Sequence, residues 1–226
     1  MADGRALAEP LALVAVPAVL VACALTGTER AAILTLVVVL GAIALFATGY
    51  ERSRPGLRQV MPTVVLAALA AAGRIVFAPI PDFKPVSAIC IVAGATLGRR
   101  DGFMVGALAA LSSNFFFGQG PWTPWQMYAW GLIGYLAGVL GEIGLLGRRG
   151  VVLALGFLSA VLYGLLLNGW YVIGFVHPIT WQSVLAAYAA GFPLDCVHGV
   201  ATTAFLAAIW LPWGRSIRRV VRKYGL

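Results

Sequence analysis

Charge is scarce in this chain. Charged residues make up 11% of its 226 residues and hydrophobic residues 61%. A soluble domain of that length needs far more charge on its surface. Apolar runs long enough to cross a bilayer recur along the whole length instead. Acids are the rarer sign, 8 against 16 Lys+Arg. The net charge of +8 still says little about nucleic acid, because the bases sit in short loops and the C-terminal tail, as membrane orientation requires. The only lysines are Lys84 and Lys223, and no Gly-x-x-x-x-Gly-Lys-Ser/Thr loop occurs, so the chain has no P-loop for ATP. It has no His-Glu-x-x-His motif, nucleophile elbow or paired intramembrane acids either. No enzyme, metal site or cofactor is therefore read from it. Cys23, Cys90 and Cys196 all lie in apolar stretches with no zinc or redox spacing and read as buried small hydrophobes. Leu20-Val21-Ala22 before Cys23 looks like a lipoprotein cleavage box, but the preceding segment is a poor basic n-region, and a plain membrane helix fits better.

What is present is a succession of apolar helices. Residues 10–26 and 31–49 form a first pair around the turn TGTER. The charged stretch YERSRPGLRQ is a natural boundary, which gives an N-terminal pair over 1–50 and a core over 51–226. Helices are expected over 60–79, 85–98, 102–117, 122–146 and 151–176. A short helix or re-entrant piece is expected over 180–191, then a break at GFPLD, then a last spanning helix over 193–212. The expectation is an all-α, polytopic, multi-pass membrane protein with eight membrane helices. With both termini cytoplasmic, thirteen basic residues fall inside: Arg5, Arg52, Arg54, Arg58, Arg99, Arg100, Arg148, Arg149, Arg215, Arg218, Arg219, Arg222 and Lys223. Arg30 and Lys84 alone fall outside. That bias sets the orientation.

The centre of the chain is LSSNFFFGQGPWTPWQMYAWG, residues 111–131. Asn114, Gln119, Trp122, Trp125 and Gln126 lie there with no charged residue between them. Aromatic faces beside amides suit a flat small molecule with polar edges. An aromatic belt at the interface is the competing reading. Polar side chains within the membrane are costly and are functional candidates by default. Arg74, Ser87, Asn114, Asn168, Asp195 and His198 all fall near the outer third of the bilayer when depth is taken at about 1.5 Å per residue. Individually they could be a snorkelling cation, helix–helix hydrogen bonds, a dipole-stabilising acid or a satisfied core histidine. Together they suggest a site open to the outside.

From Val60 onward the chain resembles the substrate-binding S components of energy-coupling-factor (ECF) vitamin transporters. The residues that carry this are TVVLAALAAAGRIVF, the block KPVSAICIVAGATLGRRDGFMVGALAALSSNFFFGQGPWTPWQ and the FPLD motif. The resemblance implies a six-helix core in a bacterial plasma membrane, and the two extra N-terminal helices depart from that pattern. It implies a vitamin or related micronutrient bound from outside, with cobalamin or another corrinoid the best match and thiamine, riboflavin, biotin or a queuosine-type base the alternatives. It also implies docking on a transmembrane T component that carries two ATPases. The residues expected to serve the substrate are Arg74, Asn114, Gln119, Trp122, Trp125, Gln126, Asn168, Asp195 and His198. A self-sufficient secondary carrier and a non-transporting scaffold are the rival readings. Small residues let another backbone come close. If Arg74 faces inward, helical periodicity packs Ala67 and Ala71 inside and leaves Ala68 and Ala72, with Val65, as the stripe for the T component.

Overall fold

The computed structural model describes residues 8–26, 31–52 and 56–224. Arg5, Arg30, Arg54 and most of the TGTER turn, which entered the orientation argument, lie outside them. The described residues form eight α-helices and no strand. They are α1 (Ala8–Thr26), α2 (Ala31–Arg52), α3 (Leu57–Val76), α4 (Val86–Leu97), α5 (Arg99–Phe117), α6 (Thr123–Glu142), α7 (Arg149–Phe175) and α8 (Trp181–Tyr224). A 3-10 turn, Leu145–Gly147, joins α6 to α7.

Local chemistry sets the helix ends. The Gln59 side chain accepts the Gly56 N–H at 3.1 Å and closes the start of α3. Pro124 sits in the first turn of α6, where a missing N–H costs nothing. Gly98, at φ 109°, reverses the chain between α4 and α5 in a conformation that needs glycine.

Among the described residues, five helices are long and apolar enough to cross a membrane: α1, α2, α3, α7 and α8. The other three of the eight helices, α4, α5 and α6, do not meet that measure. With 12 residues, α4 is about 18 Å long, well short of a bilayer core. It is instead the centre of the molecule. Val86 through Gly94 are buried without interruption, and α3, α5, α6, α7 and α8 all pack around α4. α1 and α2 lie outside α5, α6 and α7. Buried Glu9 ties the pair to the core by accepting from Arg100 Nε at 2.7 Å and from the Tyr135 hydroxyl at 3.1 Å. Phe46 stacks on Phe103 with centroids 4.0 Å apart.

The chain does not break at GFPLD. α8 runs 44 residues through Pro193 and Pro212, so the separate pieces over 180–191 and 193–212 are one helix. A proline removes one intrahelical bond and kinks the helix without having to end it. Packing on α7 holds the two sides in line. A methyl on Gly191 would meet Asn168 at 2.8 Å, one on Gly199 would meet Phe157 at 2.6 Å, and one on Gly156 would meet Leu206 at 2.7 Å. Small residues on both helices thus bring them into close contact, as is usual in lipid. α3 ends at Val76 and not at residue 79, because 77–82 are turns. Cys23 and Cys90 are buried as expected, but Cys196 is only half-buried.

Candidate functional site

The helices alternate in direction. One end of the bundle, the basic end, carries the α4–α5 and α6–α7 turns and the α8 tail. The other carries the 77–85 and 118–122 turns. The polar side chains converge toward this second end.

Arg74 lies in the last turn of α3. A cation there complements the helix dipole. Its Nη1 donates to Ser113 Oγ and to Asn114 Oδ1, each at 2.7 Å. The guanidinium also lies over Phe117, 4.6 Å from the ring centroid, and over Trp130 at 5.0 Å. Asn114 is fully buried. It donates to Gln126 Oε1 at 2.7 Å and to Thr123 Oγ1 at 3.0 Å. Thr123 donates to Gln119 Oε1 at 2.9 Å, and Gln119 Nε2 donates to the Leu111 carbonyl at 3.0 Å. Thus Arg74, Asn114, Gln119 and Gln126 belong to one network across α3, α5 and α6.

Trp130 joins this network to a second one. Its other contacts are a stacked Tyr163 ring at 4.8 Å and an Nε1 hydrogen bond to Ser87 Oγ at 3.2 Å. Ser87 Oγ lies 2.9 Å from His198 Nε2, and His198 meets Tyr163 edge-on at 5.2 Å. Lys84 forms an ion pair with Asp82 in the 77–85 turn. Its ammonium lies 5.8 Å from the Trp130 centroid and 5.7 Å from that of Tyr163. Burial lowers the proton affinity of Lys84, and the charge of Asp82 opposes that shift. Asp195 accepts from Asn168 Nδ2 at 3.3 Å and sits against Gly164, where a larger residue would overlap the carboxylate. A cavity of about 560 Å³ opens beside Asn168, between α7 and the first turns of α8, with Tyr171 and Ser183 on its wall.

Several expectations change. Arg74 and Asp195, both expected to serve the substrate, do not touch each other: neutral Ser113 and Asn114 hold the arginine, and Asn168 holds the acid. Asp195 lies deep inside α8 and not at a helix start, so the dipole reading does not apply to it. Trp125 is 1% exposed and its indole N–H has no partner among the described residues. Trp122 covers Gly120 in the turn. The ring with polar and cationic partners is Trp130, one helical turn beyond Gln126, on α6. Sequence reasoning missed Trp130, Tyr163, Ser113 and the Lys84–Asp82 pair. Lys84 gave a signal, being one of two lysines in the chain. Trp130 and Tyr163 gave none, since aromatic residues in apolar helices are ordinary.

A family model, described as a family of unknown function (DUF6580), matches residues 55–212. The chain belongs to the DUF6580 family. The match begins just before α3 and ends at Pro212, so it takes in every residue of both networks and leaves α1 and α2 outside. No curated protein and no solved structure matches the chain.

Proposed function

We propose that this DUF6580 protein is the substrate-capture subunit of an ECF-type importer in a bacterial plasma membrane. In this reading both termini are cytoplasmic, and the polar end of the bundle faces outward. It binds a vitamin or related micronutrient there, with cobalamin or another corrinoid the first candidate, and delivers it by docking on a T component with two ATPases. The observation that carries the reading is the convergence at one end of polar groups from α3, α4, α5, α6, α7 and α8, centred on Trp130. A membrane-level arginine with neutral partners and aromatic faces is costly to keep for packing alone. These groups bond to one another, so a ligand exchanges hydrogen bonds with them as it enters, and amide-fringed molecules do so at least cost.

The test is ligand retention by the purified protein. Bound cobalamin is to be measured after detergent extraction and desalting, in wild type and in Arg74→Met. Wild type is expected to retain it, and the variant to lose at least about tenfold in affinity, the scale of one charge-assisted hydrogen bond. Equal retention by both removes Arg74 from the site. Uptake by this chain alone, in vesicles free of ATPases, would instead favour a secondary carrier.

Docking has its own prediction. On α3, Ala67 and Ala71 are buried while Ala68 and Ala72 are exposed, and Val65 is 47% exposed. This is the division that helical spacing from Arg74 gives. Ala68→Trp or Ala72→Trp should abolish copurification with the T component and ATPases while ligand retention stays intact. Ala67→Trp or Ala71→Trp should instead lower the yield of folded protein. The reverse pattern would move the docking face elsewhere.

A further inference from the structure

The basic end of the bundle holds a second feature, which meets the proposed docking stripe of α3 at Val65. Between the first turns of α3 and the last turns of α8 lies a groove of about 470 Å³. Its walls are Arg58, Met61 and Val65 on one side and Ile217, Val220 and Tyr224 on the other. These recur at spacings of three, four and seven along their helices, so each helix turns one continuous stripe to the groove. α3 and α8 do not pack closely against each other. Met61, Val65, Val220 and Tyr224 consequently remain 39–52% exposed.

The groove is apolar inside and cationic at its mouth. Arg58 is in the first turn of α3, and Val65 lies two turns further on. The apolar part is therefore about 10 Å deep along the helix axis. α3 itself, at 20 residues, is about 30 Å long, the thickness of a bilayer core, which puts Arg58 at headgroup level. The end of α8 carries Arg215, Arg218, Arg219, Arg222 and Lys223, of which Lys223 lies nearest the groove, its ammonium 5.4 Å from the ring centroid of groove-lining Tyr224, and no acid follows Asp195 in the sequence. None of these six cations makes an ion pair among the described residues, whereas Arg99 and Arg100 at the same end pair with Glu142 and Glu9. Unpaired cations around an apolar slot are complementary to one kind of molecule, a fatty chain that carries an anionic head. Basic pockets between helices at a membrane surface bind anionic lipids by this chemistry.

We infer that the α3–α8 groove is a binding site for one anionic phospholipid, with an acyl chain between Met61 and Val220 and its phosphate held by Arg58 and Lys223. An acidic segment of another protein would meet the cations but would leave the apolar wall unfilled.

The experiment titrates the purified full chain in detergent with phosphatidylglycerol and, separately, with phosphatidylcholine of the same acyl chains. Bound lipid is counted by native mass spectrometry. A single phosphatidylglycerol is expected to bind at least about fivefold more tightly than phosphatidylcholine, the effect of one favourable cation near a headgroup. Arg58→Gln and Lys223→Gln should each reduce that preference, and the pair should bring it to parity. Met61→Trp and Val220→Trp narrow the groove from opposite walls at exposed positions, so folding should survive, as circular dichroism and the melting temperature will show. Both should lower phosphatidylglycerol occupancy about fivefold or more. Equal binding of the two lipids overturns the inference. So does a preference that survives both tryptophan variants, because the charged tail alone would then be attracting lipid. An acidic polypeptide found in the groove of the purified protein in place of phospholipid also overturns it.

Discussion

Gly134→Val is expected to abolish the folded state. Gly134 on α6 faces Gly102 on α5 and Gly94 on α4, and the three backbones meet with no side chain between them. A methyl at Gly134 would overlap the Gly102 carbonyl, and one at Gly94 would overlap the Gly134 carbonyl. The obstacle is backbone on every side, so rotamer changes cannot relieve it. Overpacking usually costs about 1–3 kcal/mol where side chains can adjust. Here α4, the central helix, would have to move away from α5 and α6 together. The expected loss is at or above about 3 kcal/mol, a large part of the total stability of a typical domain. Size-exclusion chromatography of the extracted protein and its melting temperature in detergent will measure this. Gly41→Ala on α2 is the control. Nothing lies within 4 Å of a Cβ built there. That substitution should be neutral or raise stability by up to about 1 kcal/mol through helix propensity. If Gly134→Val matched Gly41→Ala, the close approach of α4, α5 and α6 would be wrong.

Trp130→Ala is expected to have the second-largest effect, and to act on stability and binding together. The ring is fully buried, with Arg74 over one part of the aromatic network and Tyr163 stacked beside it. Truncation of a buried tryptophan costs about 3–5 kcal/mol through lost contacts and the cavity left behind. It also leaves Arg74 with fewer aromatic neighbours and removes the Trp130 N–H from Ser87. Trp130→Phe separates the two roles. It keeps an aromatic face and removes the Nε1–Ser87 hydrogen bond, whose net worth is about 1 kcal/mol, with a smaller loss of ring volume than Ala. The melting temperature should therefore fall far more for Ala than for Phe. If the proposed function holds, cobalamin retention should fall in Trp130→Ala even at temperatures where the variant is folded. Equal melting temperatures for Ala and Phe would show that the ring carries little packing. Undiminished retention in folded Trp130→Ala would remove Trp130 from the ligand site.

Hydropathy in the sequence by itself determined the all-helical, membrane-type architecture and most of the helix positions. Apolar runs and glycine or proline punctuation are local signals, and helices satisfy their own backbone bonds locally. It also determined which alanines of α3 face inward, because 100° per residue follows from helix geometry alone. Arg74, Asn114, Gln119 and Gln126 were legible as a group because the turn at 118–122 brings three of them close along the chain. Other features depended on lateral packing between distant segments. Ser87 and His198 are 111 residues apart in sequence, and no spacing rule joins them. Trp130 became the junction because α4, α6 and α7 meet there, and Trp122 and Trp125, equally aromatic in sequence, did not. Asp195 went to Asn168 and not to Arg74 because α7, and not α3, lies against that part of α8. α8 stayed whole through Pro193 for the same reason: the proline's penalty, about 3 kcal/mol, is local, and the contacts with α7 along both halves outweigh it.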